Sequence, residues 1–168
     1  MRFFAILLHA AVECSIPSFG QQYVAEDGLP NHVVLGFTEG TPWIDCECEP
    51  IKTELLSEQL KDSFNVIEEW LSTSESSSRY FFPDSAMQSV LSKLHGKEWK
   101  LLDYDFQFVP FKHVGDDREY LWVNALPRSA DIDIDQGVVV PIGGGRSAFR
   151  MIIFIDQLSI VTVEVNGM

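Results

Sequence analysis

The feature that most constrains the fold is an alternating, aromatic stretch at residues 104–124, which has the pattern of two β-strands joined by one turn. In its first arm Phe106 and Phe108 share one face and polar residues occupy the other, as in a half-buried strand. The second arm, residues 119–124, is aromatic and β-branched enough to be buried on both faces. The sequence therefore predicts a β-hairpin whose turn lies at residues 115–117.

Two amphipathic segments predict helices. The first is expected to run from about Thr53 or Ser57 to Leu71. Apolar side chains recur at steps of three and four within it, and again from residue 87 to residue 94. They are Leu60, Phe64, Ile67 and Leu71 in the first segment and Met87, Val90, Leu91 and Leu94 in the second. A serine-rich run at residues 72–78 stops the first helix, and Gly96 stops the second.

Shorter apolar runs predict further strands at residues 2–10, 32–37, 43–50 and 79–83, and two more within residues 149–165. We therefore expect an α+β fold in which two principal helices pack on a mainly antiparallel sheet. With 168 residues the chain is expected to form a single domain over residues 1–168, with a candidate lobe boundary at residues 72–78.

A strong negative charge restricts the partners. The chain has 12 Lys and Arg residues against 25 Asp and Glu residues, a formal net charge of −13. Nucleic acids and anionic membranes both favour Lys and Arg, so neither is expected as a partner, whereas a cationic protein partner is permitted. Residues 1–84 carry −10 of this charge and residues 85–168 carry −3, so the first half is expected to supply more of any acidic docking surface.

The cysteines and the N-terminal segment bear on the compartment. Cys14, Cys46 and Cys48 form an odd set without a recognisable disulfide spacing, which predicts free thiols and a reducing compartment. The apolar run at residues 2–10 resembles a short signal peptide, but His9 interrupts it and Glu13 stands where a small residue is needed. A buried strand and a cytoplasmic protein are therefore expected.

Three aspartates form the strongest chemical cue. Asp131, Asp133 and Asp135 alternate along the chain, so they share one face if the segment is extended, and carboxylates placed in this way can hold a divalent cation. An EF-hand is excluded because Gln136 and Ile142 occupy the positions that need Gly and Glu. The favoured alternatives are a solvated face or an acidic docking patch, so no metal and no cofactor are expected.

Catalytic motifs with a specific spacing are absent. The sequence has no nucleophile elbow and no HExxH motif, and residues 143–145 are a glycine run without the Walker spacing. A general base with a polar partner remains open on the sequence alone. The aromatic side chains of the hairpin are expected in the core, but Trp122 or Tyr120 would be a natural anchor for a protein partner if it faced water.

A set of loose motifs resembles one group of proteins. The set consists of Phe82-Pro83, the helix at residues 87–94, a charged turn, Tyr120 with Asn124 four residues later, and Asp131 with Asp133. Over residues 79–135 the chain is similar to the small α+β immunity proteins of bacterial polymorphic-toxin and contact-dependent competition systems. The resemblance implies a cytoplasmic, non-enzymatic inhibitor that binds a cognate toxin and blocks its active site or an essential surface.

Candidate contact residues follow from charge. The first candidate patch consists of Glu47, Glu49, Glu68 and Glu69, and the second of Asp131, Asp133 and Asp135, with Trp122 as an aromatic anchor. We expect these to meet a basic toxin surface, with the protein acting as a monomer or a homodimer. The competing hypotheses are a metal-dependent enzyme that uses the three aspartates, and a structural or assembly protein that forms oligomers.

Overall fold

The computed structural model describes residues 28–37, 47–51, 57–72, 100–130, 132–135, 137–139 and 148–165. These residues form one α-helix and one mixed sheet of six strands, so the α+β class is confirmed. The elements are β1 (His32–Val34), β2 (Cys48–Pro50), α1 (Ser57–Ser72), β3 (Tyr104–His113), β4 (Glu119–Pro127), β5 (Phe149–Phe154) and β6 (Ser159–Val165). Two single 3-10 turns, Leu101–Asp103 and Arg128–Ala130, flank the β3–β4 hairpin.

The sheet is mainly antiparallel. Strands β3, β4, β5 and β6 follow one another as antiparallel neighbours, while β1 runs parallel to the first part of β3 and β2 runs antiparallel to its last part. Because β4 occupies one edge of β3, β1 and β2 share the other. Gly115 has a φ of +82° in the tight turn between β3 and β4, a conformation that glycine adopts without steric cost. The predicted hairpin and the closing strand pair are confirmed.

Other predicted elements lie outside the described residues. They are the strands at residues 2–10 and 79–83, the serine-rich residues 73–78, and the second helix, so the described part of the chain contains one principal helix and not two. None of the helical residues described forms a segment long and apolar enough to cross a membrane. Cys48 is disulfide-bonded, so the prediction of free thiols was wrong for this residue.

One side of the sheet, called here the helix face, packs against α1. Phe64 of α1 lies edge-on to Phe106 and Phe108, with ring centroids 5.3 and 5.1 Å away. Trp70, at the other end of α1, contacts Phe149 at 5.0 Å. These side chains are fully buried, and edge-to-face aromatic pairs of this kind stabilise a core beyond the area that they bury. The apolar side chains that recur along α1 therefore pack against the sheet, as their spacing in the sequence predicts.

The opposite side, called the strap face, is covered in part by residues 132–135 and 137–139, which we call the strap. The strap is not a strand: it is attached to the sheet by two buried amides, Gln107 and Asn124. Gln107 Nε2 donates to the carbonyls of Ile134 (2.9 Å) and Gly137 (2.7 Å), and its Oε1 accepts from the Val139 amide (2.9 Å). The middle of β3 is consequently buried on both faces, so the prediction that its first arm is a half-buried strand with an exposed polar face was wrong at Gln107.

Candidate partner-binding site

Acidic side chains meet at the closed end of the β3–β4 hairpin. Strand β2 pairs with the end of β3, opposing Glu49 to Lys112, and the Val114 amide donates to the carbonyl of Glu47 at 2.7 Å. This pairing places two glutamates from the first half of the chain beside the turn. Together with the acids of the turn they form what we call the tip patch, whose members are Glu47, Glu49, Asp116, Asp117 and Glu119, with Lys112 and Arg118 among them.

Both cations of the tip patch are held by carboxylates. Lys112 Nζ lies 2.9 Å from Glu49, and its pKa is raised first by that hydrogen bond, with further contributions from the charges of Glu49, Asp117 and Glu119. Arg118 donates side-chain hydrogen bonds to Asp116, which lower the pKa of the Asp116 carboxyl. Five acids against two bases leave the tip patch with a net negative charge.

An aromatic row runs across the strap face next to the tip patch. Phe111 and Tyr120 stack with ring centroids 5.5 Å apart, Phe37 stacks on Phe111 at 6.0 Å, and Phe154 lies 5.5 Å from Tyr120. A groove of about 260 Å³ opens along this row. Its lining consists of Phe111, His113, Asp116, Arg118, Tyr120, Ile152 and Val161. The groove is thus lined by aromatic and aliphatic side chains beside the Asp116–Arg118 ion pair. Glu49 and Glu119 both oppose Lys112, so they lie on the other side of the sheet from Phe111 and Tyr120.

The structure divides the first predicted patch. Glu47 and Glu49 lie at the tip patch, but Glu68 and Glu69 lie near the C-terminal end of α1, next to Trp70. Trp70 contacts Phe149, which lies level with Phe106 in the sheet, while Glu49 lies level with Lys112. Six residues of strand separate the two levels, or about 20 Å. These four glutamates therefore do not form one contiguous surface.

Two members of the second predicted patch lie on the strap. Asp133 and Asp135 are exposed, and Ile134 between them is buried, so the predicted alternation holds although the segment is not part of the sheet. The Asp135 amide donates to Asp133 Oδ1 at 3.1 Å, which closes a local turn. Asp131 lies outside the described residues. Among the residues that the structure describes, no three His, Cys, Asp or Glu side chains are grouped so that they could hold a metal ion.

The prediction that Trp122 is an aromatic anchor for a partner was wrong. Its side chain is 1% exposed and packs in the apolar layer beneath the strap, with Val109 and Leu126. A partner cannot contact it on the folded protein. Its strand neighbour Tyr120 is partly exposed and lines the groove, so it replaces Trp122 as the aromatic residue available to a partner.

Sequence reasoning missed Asp116, Asp117 and Glu119 as candidate contact residues. The signal that could have identified them was present, because Gly115 and the two aspartates mark a tight turn whose tip must face water. What was lacking was the position of β2, which adds Glu47 and Glu49 to that tip through a pairing of residues more than 60 positions apart.

The chemistry of the tip patch is suited to attracting a cationic group, because its acids outnumber its bases. The aromatic groove lies on the strap face and is a separate surface from Glu49 and Glu119. Neither a protein family nor a curated protein nor a solved structure matches this chain.

Proposed function

We propose that the chain is an immunity protein that binds a cognate bacterial toxin and neutralises it by covering a basic functional surface. The observation that supports this proposal most directly is the tip patch, where Glu49 and Glu119 both oppose Lys112 on neighbouring strands and Glu49 lies 2.9 Å from its ammonium group. Acids in excess of the cations beside them produce a local negative potential. That potential is suited to a cationic protein partner.

The physical advantage of such a surface is a higher rate of association with the partner protein. Complementary charges accelerate the encounter of two proteins by one or more orders of magnitude at low salt, and screening reduces the acceleration once the charges are more than about 8–10 Å apart. An inhibitor of a toxin gains from rapid capture, because damage accumulates until the toxin is bound. The acidity of the chain, −13 overall, extends the same attraction beyond the contact surface.

Inhibition by contact requires no catalytic step, metal or cofactor, and the proposal includes none. It places the protein in the cytoplasm, where disulfides are rarely maintained. Cys48 must then be reduced at the place of action, although it is disulfide-bonded in this structure. Rapid alkylation of free thiols in the cytoplasmic and envelope fractions tests this point: alkylated Cys48 in the cytoplasmic fraction is expected, and an entirely oxidised, envelope-bound pool contradicts it.

The test of function is co-expression. If the reading frame immediately upstream encodes a large secreted protein, its C-terminal domain is produced in a host with and without this chain. Growth arrest by the domain alone and growth with both proteins are the expected results. Arrest that persists when the chain is abundant and folded contradicts the proposal.

Two charge-matched variants then locate the surface. The tip variant carries Glu47→Gln, Asp117→Asn and Glu119→Gln, and the helix variant carries Glu58→Gln, Asp62→Asn and Glu68→Gln, so both lose three negative charges. We expect the tip variant to associate with the toxin domain about tenfold more slowly at low salt, and the helix variant to remain close to the unmodified protein. Equal rates for the two variants would show that only total charge matters.

A further inference from the structure

We draw no further inference here: the strongest candidate, the groove at the end of the strap face that Phe111, Tyr120, Ile152 and Val161 line beside the Asp116–Arg118 ion pair, is an apolar surface, and nothing in the part of the chain that the structure describes shows what covers it.

Discussion

The two faces of the sheet differ in the segments that cover them and in the contacts that attach those segments. The helix face is closed by α1 through an apolar cluster in which Phe64 and Trp70 are fully buried. The strap face is closed by a segment without regular secondary structure, attached by hydrogen bonds to Gln107 and Asn124, and it leaves the aromatic row partly open. One face thus supplies stability, and the other combines a smaller apolar layer with an accessible surface.

This difference has a physical reason. A helix satisfies its own backbone hydrogen bonds, so it can be placed on an apolar surface without polar partners there. A strap without regular structure cannot, and its buried amides and carbonyls must find partners in the sheet. Gln107 and Asn124 supply them: Asn124 Nδ2 donates to both the Val139 carbonyl and Gln107 Oε1, each at 3.0 Å. Asn124 thus has a structural role.

The largest loss of stability is expected from a substitution on the helix face. Phe64→Ala removes a ring that contacts Phe106 and Phe108, and it should lower the free energy of unfolding by about 3–5 kcal/mol. Phe37→Ala, at the partly exposed end of the aromatic row, should cost about 1 kcal/mol or less. Urea denaturation of both variants measures the difference. Equal losses would show that the two faces contribute alike.

A smaller and more local loss of stability is expected from a substitution that removes the hydrogen bonds of the strap. Gln107→Met keeps the volume of the side chain but removes its hydrogen bonds to Ile134, Gly137 and Val139, which should cost about 2–4 kcal/mol. Amide hydrogen exchange should accelerate in the strap more than in α1. Gln157→Met, at an exposed position between β5 and β6, is the matched control. Uniform acceleration throughout the chain would contradict an independent strap.

Tyr104, which is buried on the helix face, should make the free energy of unfolding depend on pH in the alkaline range. Burial raises the pKa of the Tyr104 hydroxyl, with a further contribution from the charge of Asp103, so the folded protein holds this proton more tightly than the unfolded chain. The associated stability is complete below the unfolded pKa, which is about 10, and is lost as the pH rises above it. Tyr104→Phe removes the titrating group, so its unfolding free energy should fall less steeply with pH above about 10. Identical alkaline slopes would contradict the prediction.

Local patterns in the sequence were sufficient for the hairpin, α1 and the β5–β6 pair. Each of these depends on residues close together in the chain, where the spacing of apolar side chains carries the information. The error at Trp122 has a different origin. Tyr120 and Trp122 are two residues apart on β4, so they share the strap face and the alternation of the strand does not distinguish them; Trp122 is buried because it packs in the apolar layer beneath the strap, whereas Tyr120 is partly exposed.

Contacts between distant residues were not available from such patterns. The strap depends on Gln107 meeting Ile134, and the tip patch depends on β2 pairing with the end of β3. An isolated glutamine or a three-residue strand carries no signal for its distant partner. The same holds for the disulfide of Cys48, because pairing of cysteines is decided by proximity in the folded chain and not by their spacing alone.

The smallest change in stability is expected from a substitution at the tip patch. Glu49 and Lys112 form an ion pair at 2.9 Å, but both side chains are substantially solvated, and exposed pairs contribute little to folding because water and salt screen them. Glu49→Gln should therefore leave the thermal midpoint unchanged within error while it slows association with a cationic partner at low salt. Both quantities are measured on the same preparation, and Glu58→Gln on α1 serves as the charge-matched control. A marked loss of thermal stability, with association unaffected, would assign Glu49 to the fold and remove it from the binding surface.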